Sequence, residues 1–192
     1  MFKPSVKIGG TNPWGDGTTF EFTLKQCHIK MGERPIPSKD QNRDIQNAPK
    51  EPWPQMTFGY EDNEGEGLDE KYVNAPKDFV LNDRATFYQR IAHVLGMTPE
   101  ALVKEGEDSK LGFDFGTGVD TYDAILEQIK GGAQIPVGIT YDGSSIFGRK
   151  LNLTIKTSGS GWARIASSAP LLTSTKKKSA VTTSESEFKP RV

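Results

Sequence analysis

Cations placed beside aromatic rings are the residues here with the widest chemical reach. A groove for an unpaired polynucleotide needs Lys and Arg for phosphates and ring faces for unstacked bases, and each stacked base contributes about 1–3 kcal/mol. Alternation puts Lys25 on the solvent side of a strand whose core side is Phe20, Phe22 and Leu24. His28 and Lys30 follow on that side after a phase slip, and Asn152, Thr154 and Lys156 lie opposite Leu151, Leu153 and Ile155. Arg149, Lys150 and Arg164 add basic groups nearby. Trp53, Tyr60 and Tyr72 are candidate stacking platforms, and Trp162 is divided between core and ligand. Each feature also has a plainer use: strand aromatics pack cores, and edge lysines discourage sheet aggregation.

Catalytic patterns are missing. The two histidines, His28 and His93, have no cysteine or histidine at zinc spacing. Asp62, Glu64, Glu66 and Gly67 fit positions 1, 3, 5 and 6 of a calcium loop, but position 12 is Val73. Gly159-Ser160-Gly161 continues to Arg164 where a dinucleotide motif needs glycine. The expectation is a non-enzyme with no cofactor and no metal.

Composition narrows the class. The chain of 192 residues suits one domain, and its 34 % hydrophobic content with 20 Gly and 12 Pro implies much loop. One cysteine, Cys27, permits no internal disulfide and fits a reducing, cytoplasmic setting. No leader peptide or membrane span is expected, because no apolar run reaches the required length. The net charge of −1 hides a gradient. Residues 1–60 carry 8 basic and 6 acidic groups, residues 61–130 carry 7 and 16, and residues 131–192 carry 9 and 3. One positive face and a solvated acidic insertion are both compatible with that distribution.

Periodicity gives the elements. Residues 18–31 read as one long strand, with a bulge near Lys25–Gln26 that keeps Phe22, Leu24, Cys27 and Ile29 on one side. Residues 32–54, rich in proline, read as a long loop. Strands follow at 55–60 and 71–81, the second weakened by Pro76. A helical insertion spans 82–131: one helix capped by Asn82 or Asp83 and stopped by Gly96, a short one opened by Thr98-Pro99, and one capped by Asp120. Residues 105–119 read as loop. Ile135 to Tyr141 and Leu151 to Ile155 are strands, and Trp162 to Ile165 closes the domain. The predicted fold is mainly β with a helical insertion, in the order β-β-β-α(αα)-β-β. It forms an OB-like five-stranded barrel over residues 1–170 with a disordered tail over 171–192. A generic α+β sheet is the alternative.

Four stretches carry a resemblance: Gly-Asp-Gly-Thr-Thr-Phe-Glu-Phe at 15–22, Phe-Tyr-Gln-Arg-Ile-Ala-His-Val-Leu-Gly at 87–96, Ile-Phe-Gly-Arg-Lys-Leu-Asn-Leu at 146–153 and Gly-Trp-Ala-Arg-Ile at 161–165. Their layout, over about residues 15–170, resembles the phage-type OB-fold single-stranded DNA-binding proteins of replication and recombination cassettes. The resemblance implies sequence-tolerant binding of single-stranded DNA, in replication, recombination or repair, inside an infected host cell. It also implies contact with replication or recombination proteins, and homo-oligomers are compatible with it. The tail departs from the acidic partner-recruiting ends of many such proteins: it carries Lys176, Lys177 and Lys178, with only Glu185 and Glu187 acidic. Two rivals remain: a virion structural or protein-interaction (inhibitor) protein, and a metal-dependent nuclease.

Overall fold

The structure, a computed structural model, describes residues 12–39, 44–45, 47–116 and 118–171; the side chains of Tyr72, Lys77 and Glu107 lie outside the description. The tail expected to be disordered, from residue 172 on, also lies outside the described residues.

Strand β1 (Thr18–Pro35) organises everything else. Its apolar series would switch faces at mid-strand, but a bulge at Lys25 absorbs the extra residue: Leu24 pairs with Tyr60 and Gln26 already pairs with Gly59. Phe22, Leu24, Cys27 and Ile29 therefore all point into the core. The expected bulge is where the alternation placed it. Phe20, expected in the core, is 39 % exposed, because β1 runs past the end of its neighbour, whose last partner is Phe22.

The remaining elements follow in order: β2 (Lys50–Asp62), β3 (Gly67–Asn74), α1 (Thr86–Val94), α2 (Pro99–Lys104), β4 (Leu111–Asp114) and α3 (Tyr122–Lys130). After these come β5 (Gln134–Pro136), β6 (Gly138–Tyr141), β7 (Ser144–Ser145), β8 (Lys150–Thr157) and β9 (Ala163–Pro170). The main antiparallel sheet has the order β3-β2-β1-β8-β9, with β5 added to β1. The second sheet has the order β4-β6-β7. β1 serves β8 with its first half and β5 with its second, and the bulge lies between the two registers. Alternation along the main sheet gives β3 and β9 the same polarity. Among the described residues no strand pairing joins these two edges, so the barrel expected from the sequence is not closed.

Several boundaries differ from expectation for local reasons. The loop read over 32–54 loses both its ends to strands, because β1 and β2 stay paired to Pro35 and Lys50. Pro52 and Pro54 are tolerated there because β3 covers β2 only from Gln55 onward, leaving an edge that lacks nothing by losing an N–H. Strand β3 starts at Gly67 and stops before Pro76. Ala85 occupies the α1 N-cap without a side-chain bond, while the Asn82 carboxamide oxygen accepts from the Arg84 N–H. Thr121, not Asp120, caps α3 through the Ala124 N–H, whereas Thr98 caps α2 as expected. Residues 111–114, read as loop, form β4, and the run from Ile135 to Tyr141 divides at Val137 between the two sheets.

The two sheets are fastened by aromatic packing. Asp78 and Phe79 both adopt φ 53°. That conformation is costly without glycine. It delivers the Phe79 ring among Phe87, Phe113, Phe115 and Tyr122, at centroid distances of 5.0–6.0 Å, and the Tyr88 hydroxyl donates to the Phe79 carbonyl. Helix α1 buries Phe87, Tyr88, Arg90, Ile91, Ala92 and Val94, a wider face than a single apolar stripe. No helix among the described residues is long and apolar enough to cross a membrane.

One glycine is demanded by packing. A Cβ at Gly32 would lie 1.9 Å from the Gln55 Oε1 and 2.9 Å from its Cγ. Gln55 is 4 % exposed, and its Nε2 donates to the Glu33 carbonyl, so it cannot swing clear. Gly32→Ala is expected to cost about 1–3 kcal/mol in urea unfolding; an unchanged midpoint would show that Gln55 has room to move.

Candidate nucleic-acid interface

Where β3 and β9 fail to pair, a groove of about 1390 Å³ opens between them and the start of α1. All three tryptophans of the chain line it, although they come from distant parts of the sequence. Trp14 precedes β1 at a turn, packs edge-on against Phe22 at 5.4 Å, and donates from Nε1 to the Asp62 carboxylate at 2.8 Å. Trp53 lies on the β1–β2 arm, with the Arg34 guanidinium 3.1 Å over its ring centroid. Arg34 Nε also donates to Glu51 at 2.7 Å, which holds that stack in place. Trp162 sits in the turn between β8 and β9, where its N–H donates to the Ser158 hydroxyl at 3.0 Å and Gly161 takes φ 84°. The turn fixes the backbone and leaves the indole 60 % exposed. Trp162 is thus an exposed ring carried on a hydrogen-bonded turn.

Cations surround these rings. Lys71 from β3, Arg84 before α1 and Arg164 from β9 line the groove, are exposed, and form no salt bridge among the described residues. Lys156 pairs with Arg164 across β8 and β9 and extends the basic surface onto the outer face of the sheet. Glu66 and Asp69 oppose them on the β3 side. With Arg34, Arg90 and Glu70 included, the lining holds five basic and three acidic residues.

The floor of the gap is a buried polar relay. Arg90 on α1 is 5 % exposed. It donates from Nε and Nη2 to Glu70 of β3 at 2.8 and 2.6 Å, and from Nη1 to the Ser168 hydroxyl of β9 at 2.8 Å. His93 Nδ1 lies 2.7 Å from the same hydroxyl, and the Tyr60 hydroxyl donates to Glu70 at 3.2 Å. Burial pushes the His93 pKa down, with the Arg90 charge adding to the effect. One side chain therefore links the two strand edges that lack a ladder.

The ten residues singled out in the sequence divide sharply. Trp53, Trp162 and Arg164 meet in the groove, with Lys156 adjoining. Tyr60 is a correction: it is 2 % exposed on the core side of β2, where burial and Glu70 push its hydroxyl pKa well up, and it presents no ring face. Tyr72 lies on β3, but its side chain is outside the description. Lys25 at the bulge is held by Glu61 at 3.3 Å, and Lys150 contacts Glu21 and Asn63, so these two are neutralised away from the groove. Lys30 stands opposite Gln55 on β1, and Arg149 precedes β8; neither lines the groove. The calcium reading also falls at Asp62. Its Oδ1 accepts from the N–H groups of Glu64 and Glu66 while Oδ2 takes Trp14, and the Trp14 bond first of all lowers its pKa. Among the described residues no cluster of three acidic, His or Cys side chains could hold a metal ion.

Trp14, Arg34, Lys71 and Arg84 were missed. The Arg34–Trp53 pair was hidden because both residues were assigned to a loop. The available signal was that each tryptophan stands next to proline or glycine, at an edge where a ring escapes the core. Comparison of the chain with protein-family models, curated proteins and solved structures returned no match.

Proposed function

We propose that the chain binds single-stranded DNA with little sequence preference, through the groove between β3 and β9. The observation that carries the reading is the convergence of Trp53 and the exposed Trp162 with Arg34, Lys71, Arg84 and Arg164 in one open cleft. Rings supply sequence-tolerant stacking and the cations meet phosphates. The order β3-β2-β1-β8-β9, with a helix at the gap, supports an OB-like fold left open at one seam, with β4, β6, β7 and α3 as additions. The resemblance drawn from the sequence supplies the setting of this proposal: phage-type replication, recombination or repair in the cytoplasm of an infected cell, beside replication or recombination proteins and as single or several copies.

Titration with oligo-dT tests this directly. Stacking on Trp162 quenches tryptophan fluorescence. Three or four phosphate contacts predict an affinity loss of about 20–50-fold between about 50 and about 200 mM salt. No fluorescence change and no gel shift at low salt would overturn the assignment, and equal affinity for duplex would replace it with a general polyanion site.

A further inference from the structure

We infer that the relay Glu70–Arg90–Ser168–His93 is a proton-operated clasp that sets the width of the groove: neutral His93 holds β9 against β3, and protonated His93 releases it. This rests on the nucleic-acid reading for its ligand but not for its mechanics. Arg90 donates to the Ser168 oxygen at 2.8 Å, so the hydroxyl proton is free to point at His93 Nδ1, 2.7 Å away. That bond needs an unprotonated Nδ1. Protonating the ring turns Nδ1 into a second donor aimed at Ser168, leaves the hydroxyl proton without an acceptor there, and sets a cation beside buried Arg90. The charged and titratable groups that face His93 are Arg90 on its own helix, Glu100 on α2, and, through the relay, Glu70 on β3 and Tyr60 on β2. β9 contributes the uncharged Ser168 and, four residues before it and lining the groove, the exposed Arg164, while Lys150 and Lys156 on β8 alternate away from that strand's buried residues. The only charge opposing Arg90 in the relay is Glu70, and both oxygens of Glu70 are already taken by Arg90.

The sign of the effect is fixed. A histidine whose folded pKa is depressed disfavours the clasped state as pH falls through and below its ordinary value near 6.5. Acid otherwise strengthens most protein–DNA contacts by adding positive charge, so a clasp predicts the opposite trend.

The test is hydrogen exchange of the full chain without ligand at about pH 5.5 and about pH 7.5, corrected for intrinsic rates, with oligo-dT affinity measured in parallel at constant ionic strength. The β9 amides should exchange severalfold faster at the lower pH while α3 is unaffected, and oligo-dT should bind severalfold more weakly. His93→Gln should flatten both responses, Ser168→Ala should do the same by removing the hydroxyl, and His28→Gln should leave both intact. Protection of β9 that ignores pH, or a His93→Gln chain that responds like the parent, overturns the clasp. Exchange that responds through His93 with no oligo-dT binding at either pH upholds the clasp and removes the ligand assignment instead.

Discussion

Arg90→Met is expected to destabilise the protein by about 3–5 kcal/mol, the penalty for leaving one member of a buried ion pair without its partner. For a chain of this size the melting temperature should fall by about 10 °C or more. The reason is where Glu70 sits. Its side chain is 11 % exposed, and once Arg90 is gone the Tyr60 hydroxyl alone cannot solvate its charge. The pair itself contributes little against a well-packed apolar replacement, since both ions were taken out of water to form it. The double variant Arg90→Met/Glu70→Leu should therefore recover most of the loss, and a thermodynamic cycle should give a coupling of several kcal/mol. If Arg90→Met costs less than about 1 kcal/mol, the link across the seam does not hold β3 and β9 together.

Trp162→Ala is expected to weaken oligo-dT binding by about 1–3 kcal/mol, roughly 5- to 150-fold, with no loss of stability. The ring is 60 % exposed and its removal opens no cavity. Trp162→Phe should retain part of the affinity. The salt slope should not change in either variant, because stacking releases no counterions; Arg164→Ala should instead reduce the slope by about 0.7. This split separates ring from cation within one site. A Trp162→Ala chain that binds as well as the parent would remove the groove from consideration, whatever else the protein binds.

Much of the scaffold was legible because period and phase are local. The slip between Leu24 and Cys27 announced the bulge, and Gly96 and Thr98-Pro99 marked real helix boundaries. What failed depended on partners distant in sequence. Residues 111–114 (Leu-Gly-Phe-Asp) are too few to show a period, and they become a strand only because residues 138–141 lie alongside. Residues 32–35 and 50–54 look like loop when taken alone, yet each is the other's pairing partner. The same limit governs the site. Tyr60 and Trp162 both sit among alternating strand residues, and sequence cannot say that one faces α1 and the other projects from a turn. Arg90 falls among apolar residues on a helix that buries most of its circumference, and its burial follows from two strand edges that the sequence places about a hundred residues apart.

The lone thiol offers a clock built into the chain. Cys27 is 4 % exposed between β2 and β5, and burial pushes its pKa far up, so a thiol reagent finds neither access nor thiolate in the native state. Labelling can proceed only when β1 parts from its neighbours. With a single cysteine in the sequence, the rate reports the opening of that strand alone and needs no engineered probe. Comparing that rate with and without oligonucleotide would measure how far occupancy at the distant groove stiffens the central strand.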